Sequence, residues 1–405
     1  MGKVRFKVAA SWAAAAFLSL PALAVPLDAP RQDGQQDNTK LLQELAREVA
    51  ALRDTVRRQQ AEIDELKHAK QSGGLSPEQA KRLDALERVK LSGFEQFQFR
   101  RSDQSGKEES AFYSKRTRIV IEAKLETNMA MKASFDIAGG KDTNGSITKD
   151  AYLAYTGTGG GWAATAGQIA LPLGYDLQRG DIDRELPERA LYNRTLFAGE
   201  RGRGVNLRAM ASGVTLQAGL WNALTSEDPE QLTFAPGGHG RLVGTGGIKL
   251  NKKDVEVGLS GLIGRRPSFA GTAAVSPETD RKLAYGHAIL KNVAGGRLHV
   301  LAEGLVGQDR VPSTAGSVSA VSKNMHGYQI TIGGKVGQSG SLDFRNEQFT
   351  SDLNSANKTA TAHGLSYQHA LSPRAKLMLA REWWNDSSAA SSKYTITTLR
   401  VTFSM

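Results

Sequence analysis

Basic side chains recur on the polar sides of alternating segments along this chain: Arg100, Arg116, Arg118, Lys124, Lys132, Lys249, Arg297, Lys335, Arg345, Lys376 and Arg400. A second group, Arg179, Arg184, Arg189, Arg194, Arg201 and Arg203, falls in one long connection or at its exit, and Arg208 lies in the segment after it. Cations around a water-filled path select anions by countering their charge and replacing hydration. The planar guanidinium fork suits phosphate because it grips two oxygens at once. Binding and release of small anions is therefore the chemistry these residues predict. Acids temper it, since Asp176, Asp181, Asp183, Glu185 and Glu188 share the long connection with the arginines. Glu95, Glu122, Asp136, Glu256, Glu303, Asp343 and Glu347 can pair with basic neighbours on the wall. Local charge alone thus leaves an unselective path as an open alternative.

Other chemistries find little support. Without a cysteine there is no disulfide framework, thiolate metal site or thiol nucleophile. Seven histidines are scattered, and the spacing of His363 and His369 fits no helix-borne ligand pair. No local motif nominates a Ser, His and orienting acid side by side, so no catalytic residue, metal or cofactor is expected. Arg201-Gly202-Arg203-Gly204 is too short for a nucleic-acid-binding segment.

The elements that must position the cations read as strands. An apolar fraction of 40% and mean hydropathy of -0.37 exclude a helical membrane protein but not a barrel, whose strands alternate lipid-facing and water-facing residues. Sixteen candidate strands begin near Leu91, Ala111, Asn128, Thr148, Trp162, Gly202, Gly213, Leu242, Asp254, Arg281, Gly296, Met325, Gly340, Thr361, Arg374 and Tyr394. Alternation is clean in Val214, Leu216, Ala218 and Leu220 against Thr215 and Gln217, and in Leu399, Val401 and Phe403 against Arg400 and Thr402. Connection lengths alternate too, with long ones such as 171–200 and 223–241 separated by tight ones such as Ser212-Gly213 and Lys252-Lys253. A membrane barrel with short turns at its periplasmic rim and long loops outside gives this parity, whereas a soluble β-sandwich has no reason to sort its loops so. Trp162, Trp221, Trp383, Trp384 and Tyr394 near strand ends are expected to form aromatic girdles.

Two zones precede the strands. Lys3, Arg5 and Lys7, an apolar stretch from Val8 to Leu20, and Ala22-Leu23-Ala24 predict a signal peptide over 1–24. From 25 to 90, Leu42, Leu45, Val49, Leu52, Val56, Gln59, Ile63 and Leu66 recur at coiled-coil spacing, predicting a helical periplasmic segment that associates with itself or with an envelope partner such as peptidoglycan. Ser76-Pro77-Glu78-Gln79 is a fresh helix start. The 25–90 zone is charge-neutral, so the net charge of +8 left after removal of the leader sits in 91–405.

The order of several short motifs resembles the phosphate-selective porins O and P. They are Leu91-Ser92-Gly93-Phe94 with Gln96 and Gln98, Lys115-Arg116-Thr117-Arg118, and Asp150-Ala151-Tyr152-Leu153. Gly167 to Gly174, Leu186-Pro187-Glu188-Arg189 and Glu200 to Val205 follow. The resemblance implies a 16-stranded antiparallel transmembrane barrel over 91–405, homotrimeric, in the bacterial outer membrane, with its third long loop folded into the lumen. It implies an anion path, for phosphate or polyphosphate, and the pore-lining candidates are Arg116, Arg118, Lys124, Arg189, Arg194, Arg201, Arg203, Arg208, Lys249, Arg297, Lys335, Arg345 and Arg400. The chain's expected partners are itself, membrane lipid and small anions, with no nucleic acid.

Overall fold

The computed structural model describes residues 87–405 except 139–147, 198–200, 223–241, 267–278, 313–319, 356–357 and 389–391, together with single positions between 54 and 84. The N-terminal unit, Met1–Asp84, is helical at nearly all its described positions. Arg58 Nε donates to the Asp54 carbonyl one turn back at 3.4 Å, and Ser76 stands just before helical Pro77 and Glu78. The signal peptide and all eight coiled-coil seam positions lie outside the described residues.

The second unit, Ala85–Met405, is a closed antiparallel barrel of sixteen strands. They are β1 (Val89–Ser102), β2 (Glu109–Lys124), β3 (Met129–Asp136), β4 (Thr148–Thr156), β5 (Trp162–Ala170), β6 (Arg201–Ala211), β7 (Val214–Asn222) and β8 (Leu242–Lys252). The rest are β9 (Val255–Arg266), β10 (Thr279–Asn292), β11 (Leu298–Pro312), β12 (Ala320–Val336), β13 (Gly340–Thr350), β14 (Thr359–Ser372), β15 (Ala375–Asp386) and β16 (Lys393–Ser404). Each strand pairs with its chain neighbours, and β1 pairs with β16 from Phe94↔Ser404 to Ser102↔Ile396. Closure leaves no unpaired edge, which is what lets strands cross hydrocarbon.

Side chains are sorted inside out. Leu216, Leu220, Leu399, Phe403 and Met405 are exposed, whereas Gln96, Gln98, Thr398, Arg400 and Thr402 are buried. Alternation along a strand sends one set outward and the next inward, and here lipid takes the apolar set. Connections after odd-numbered strands, 103–108, 137–147, 171–200, 223–241, 267–278, 313–319, 351–358 and 387–392, are each longer than any of the others. The short ones are 125–128, 157–161, 212–213, 253–254, 293–297, 337–339 and 373–374. In the tightest, Ser212 and Gly213 both take positive φ, 49° and 82°, the two-residue turn whose twist suits a hairpin.

Two expectations need correction. Strand β12 starts at Ala320, earlier than Met325, because its pairing with β11 runs out to Pro312↔Ala320. Of the proposed girdle, Trp162 and Trp383 are exposed, but Trp221 and Trp384 are buried inside the barrel, and Tyr394 stacks on Trp384 at 5.9 Å. Inward-facing apolar groups are common along the far wall. Val243, Leu262, Leu283, Tyr285, Leu305, Met325 and Phe349 form one buried cluster with Trp221 and with Leu171, Leu173, Leu177, Tyr192 and Phe197 of the 171–200 connection. That connection lies inside the barrel and brings its own hydrophobic core, so the strands it covers are apolar on both faces.

Candidate permeation path and constriction

The inserted loop 171–200 holds a 3-10 turn, Asp176–Gln178, and one short helix, α1 (Leu191–Leu196). Wall side chains grip its backbone around most of the circumference. Gln217 of β7 donates to the Pro172 carbonyl at 3.0 Å, and Ser260 of β9 accepts from Gly174 N at 2.8 Å. Glu303 of β11 accepts from Asp176 N at 3.0 Å, Tyr192 Oη at 2.6 Å and Asn193 Nδ2 at 3.2 Å, and also from Tyr175 N. Glu347 of β13 accepts from Leu191 N, the first residue of α1, at 2.8 Å. On β14 to β16, Gln368 donates to the Glu185 carbonyl at 2.9 Å, Lys376 to that of Ile182 at 2.7 Å and Arg400 to that of Pro187 at 2.8 Å. Gln96 of β1 closes the circle with a bond to the Asp181 carbonyl at 3.2 Å. Burial, reinforced by Glu303 and Asp176, pushes the Tyr192 phenol well above its ordinary range, so it stays a donor.

Two loop carboxylates organise the arginines. Asp181 meets Arg118 Nη1 at 2.6 Å, Arg116 Nε at 3.4 Å and Arg189 Nη1 at 3.8 Å, and is bonded by Arg184. Burial opposes its charge, but Arg116, Arg184, Arg118 and Arg189 together outweigh that cost and hold the carboxyl well below the usual carboxylate range. Glu188 meets Arg400 Nη2 at 3.1 Å, Lys115 Nζ at 3.3 Å and Arg116 Nη2 at 3.9 Å. Against burial, these cations likewise keep it well below its usual value.

Around this centre the expected pore-lining residues divide. Arg116, Arg118, Arg345 and Arg400 stand on the wall at the loop, with Arg345 bound to Glu347 at 3.0 Å, Glu382 at 3.3 Å and the Glu188 carbonyl at 2.8 Å. Arg189 is turned into the loop itself, donating to the Asp176 and Arg179 carbonyls at 3.0 Å each. It braces the loop instead of facing the water path. Arg194 lies over the Trp384 ring at 5.4 Å. Arg201 pairs with Asp150 at 3.0 Å, and Arg203 bonds Gln168 at 2.9 Å. Arg208, opposite Gln217 in register, is exposed. Lys249 is neutralised by Glu256 at 3.6 Å. Lys124 and Lys335 are exposed near the short-turn rim, remote from the loop. Arg297 was expected on a strand but belongs to the exposed β10–β11 turn, because β11 does not start until Leu298.

Two buried lysines escape a reading by alternation. The β1–β2 register slips between Gln96↔Arg116 and Phe97↔Ser114, leaving Lys115 as the extra residue of a β-bulge. The β3–β4 register slips between Ser134↔Asp150 and Phe135↔Thr148, leaving Lys149 so. A bulge re-aims its side chain, and here both lysines turn inward. Lys149 is 9% exposed, close to Arg201, Arg118, Asp136 and Asp181, and its side-chain ammonium makes no hydrogen bond or ion pair with the described residues. A signal does exist in the sequence. Lys115-Arg116 and Lys149-Asp150 are adjacent charges in membrane strands, and strict alternation would send one of each pair into lipid.

Comparison with known proteins agrees with this architecture. The barrel is similar to the trimer form of OmpT from Vibrio cholerae, at TM-score 0.60 and 10% identity, covering 78% of this chain and 99% of that one. An anion-selective porin from Comamonas acidovorans is similar at TM-score 0.58 and 12% identity, with 78% and 99% covered. OprB from Pseudomonas putida is similar at TM-score 0.57 and 9% identity, with 80% and 96% covered. Among curated proteins none matches the chain. The profile of the family Phosphate-selective porin O and P matches residues 92–303, which include the inserted loop and the wall arginines Arg116 and Arg118, so the chain belongs to that family and is a porin-type outer-membrane channel.

Proposed function

We propose that the channel favours anions, phosphate and its oligomers among them, and that movement is passive. The observation carrying this reading is Lys149, a cation nearly removed from solvent with no bonded counter-charge among the described residues. A buried ammonium is costly unless paired, and a permeant oxyanion beside Lys149, Arg118 and Arg201 supplies the missing partner. The competing reading is a general, weakly selective porin, favoured by the close matching of Arg116, Arg118 and Arg400 with Asp181 and Glu188. Planar-bilayer recording separates them. Reversal potentials biased toward chloride, with current blocked by phosphate, support the anion reading. Lys149→Met is expected to weaken that block at least severalfold while leaving chloride conductance nearly unchanged. A cation-selective reversal potential overturns the proposal, and chloride selectivity without phosphate block leaves the general porin.

We also infer self-association, as a homotrimer. Glu95 faces away from the lumen midway along β1, paired in register with exposed Phe403, and its carboxylate is held by Ser114 and Thr117. A carboxylate facing hydrocarbon is unfavourable, and a second copy of the chain removes it from lipid. The 25–90 segment is assigned to the periplasm as a coiled coil that contacts its own copies or the envelope.

A further inference from the structure

The outer face of β8 to β12 carries glycines and an alanine where large apolar side chains would otherwise meet lipid. One register row runs Gly246↔Gly261, Gly261↔Ala284 and Ala284↔Val306. The next row toward the short-turn rim places Gly286 and Gly304 side by side between Leu259 and Tyr328. These positions face outward, because Leu262, Leu283 and Leu305 beside them are the buried inward ones. A groove of about 840 Å³ results, with Gly246, Gly261 and Ala284 in its floor and Ile263 and Val306, each more than 60% exposed, as walls. That volume is in the range of ligand-sized clefts, about 300–1,000 Å³.

One row further toward the long-loop rim, the same strands carry Lys282, Gln308 and Asn324, aligned as Lys282↔Gln308 and Gln308↔Asn324. All three line the groove and are exposed, and Gln308 Nε2 donates to Asn324 Oδ1 at 3.1 Å. The side-chain amine of Lys282 has no ion pair or hydrogen-bond partner among the described residues. An apolar trough under a row of one amine and two amides matches an amphiphile with an acidic head. Loop parity puts this rim on the external side, so the amphiphile is in the outer leaflet.

We propose that this groove retains one anionic, phosphate-bearing lipid, its acyl chain lying over the glycine floor and its head at Lys282. The site is separate from the anion path and does not depend on the selectivity assigned to the lumen. The full-length protein in mild detergent, stripped of lipid and incubated with phosphatidylglycerol or phosphatidylcholine of the same chains, is the test, read by native mass spectrometry. Retention of phosphatidylglycerol severalfold above phosphatidylcholine is expected, with Lys282→Gln erasing the preference. Gly246→Leu is expected to abolish retention, since a Cβ at Gly246 meets nothing within 4 Å and the variant folds with the trough filled. Single-channel conductance checks folding and stays unchanged in both variants. Equal retention of the two lipids by the unmodified protein, or undiminished retention by Gly246→Leu, overturns the proposal. So does a Gly246→Leu protein that loses its oligomeric state, which would make the trough a contact between copies.

Discussion

At the scale of single residues, Asp181 and Glu188 act as built-in counter-anions for an arginine cluster that would otherwise repel itself. Their folded pKa values lie well below the ordinary range, so the unfolded chain binds protons that the folded loop refuses. Stability from these pairs is therefore complete above the unfolded carboxylate pKa, about 4, and disappears only as pH falls through the depressed folded values. Conductance and open-channel noise are expected to stay flat from pH 8 to pH 5 and to change only in stronger acid. A transition centred between pH 5 and 6 would show that these carboxylates do not lock the loop. Asp181→Asn removes the carboxylate shared by Arg118 and Arg184, leaving Arg118 with Asp136 at 3.1 Å, and loss of one member of a buried ion pair costs on the order of 3–5 kcal/mol. Lower thermal stability and a reversal potential shifted further toward chloride are expected together, measured by melting and by bilayer recording.

At the scale of elements, a loop and a wall strand depend on each other. Glu303 collects donors from Tyr175, Asp176, Tyr192 and Asn193, and the loop in turn covers the apolar inner faces of β8 to β13. Glu303→Leu leaves those donors without their acceptor, at about 1–3 kcal/mol for each that finds no other partner. The barrel ladder is untouched, so the variant is expected to insert normally while its conductance rises and becomes noisier. A quiet channel of unchanged conductance would mean that the other wall contacts hold the loop alone. The two bulges belong to this scale as well, since one extra residue in β2 and one in β4 each add a lumen cation without a wider barrel. Sixteen strands were legible, the start of β12 alone being read five residues late, because lipid on one side and water on the other impose a period of two. The bulges and the doubly apolar strands were not, because each breaks that period for a tertiary reason.

At the scale of the whole molecule, Met1–Asp84 and Ala85–Met405 are separate units, and the closed barrel lies in the second. Deleting residues 25–90 is expected to leave single-channel current unchanged while envelope attachment, followed by co-sedimentation with peptidoglycan, is lost. Loss of current on that truncation would instead tie the segment to assembly of the pore.

Composition, alternation and loop parity by themselves determined a membrane barrel, its strand number and the connection that carries the arginines, because burial in lipid acts on every residue of a strand in the same way. They also placed Arg116, Arg118, Arg345 and Arg400 on the wet side. Which cations meet, which are cancelled by Asp181 and Glu188, and that Arg189 braces the loop while Lys115 and Lys149 enter the lumen were decided only by tertiary structure. Those outcomes depend on contacts between residues far apart in the chain, such as Gln96 with Asp181 and Arg400 with Pro187. Separation along a sequence carries no measure of such distances.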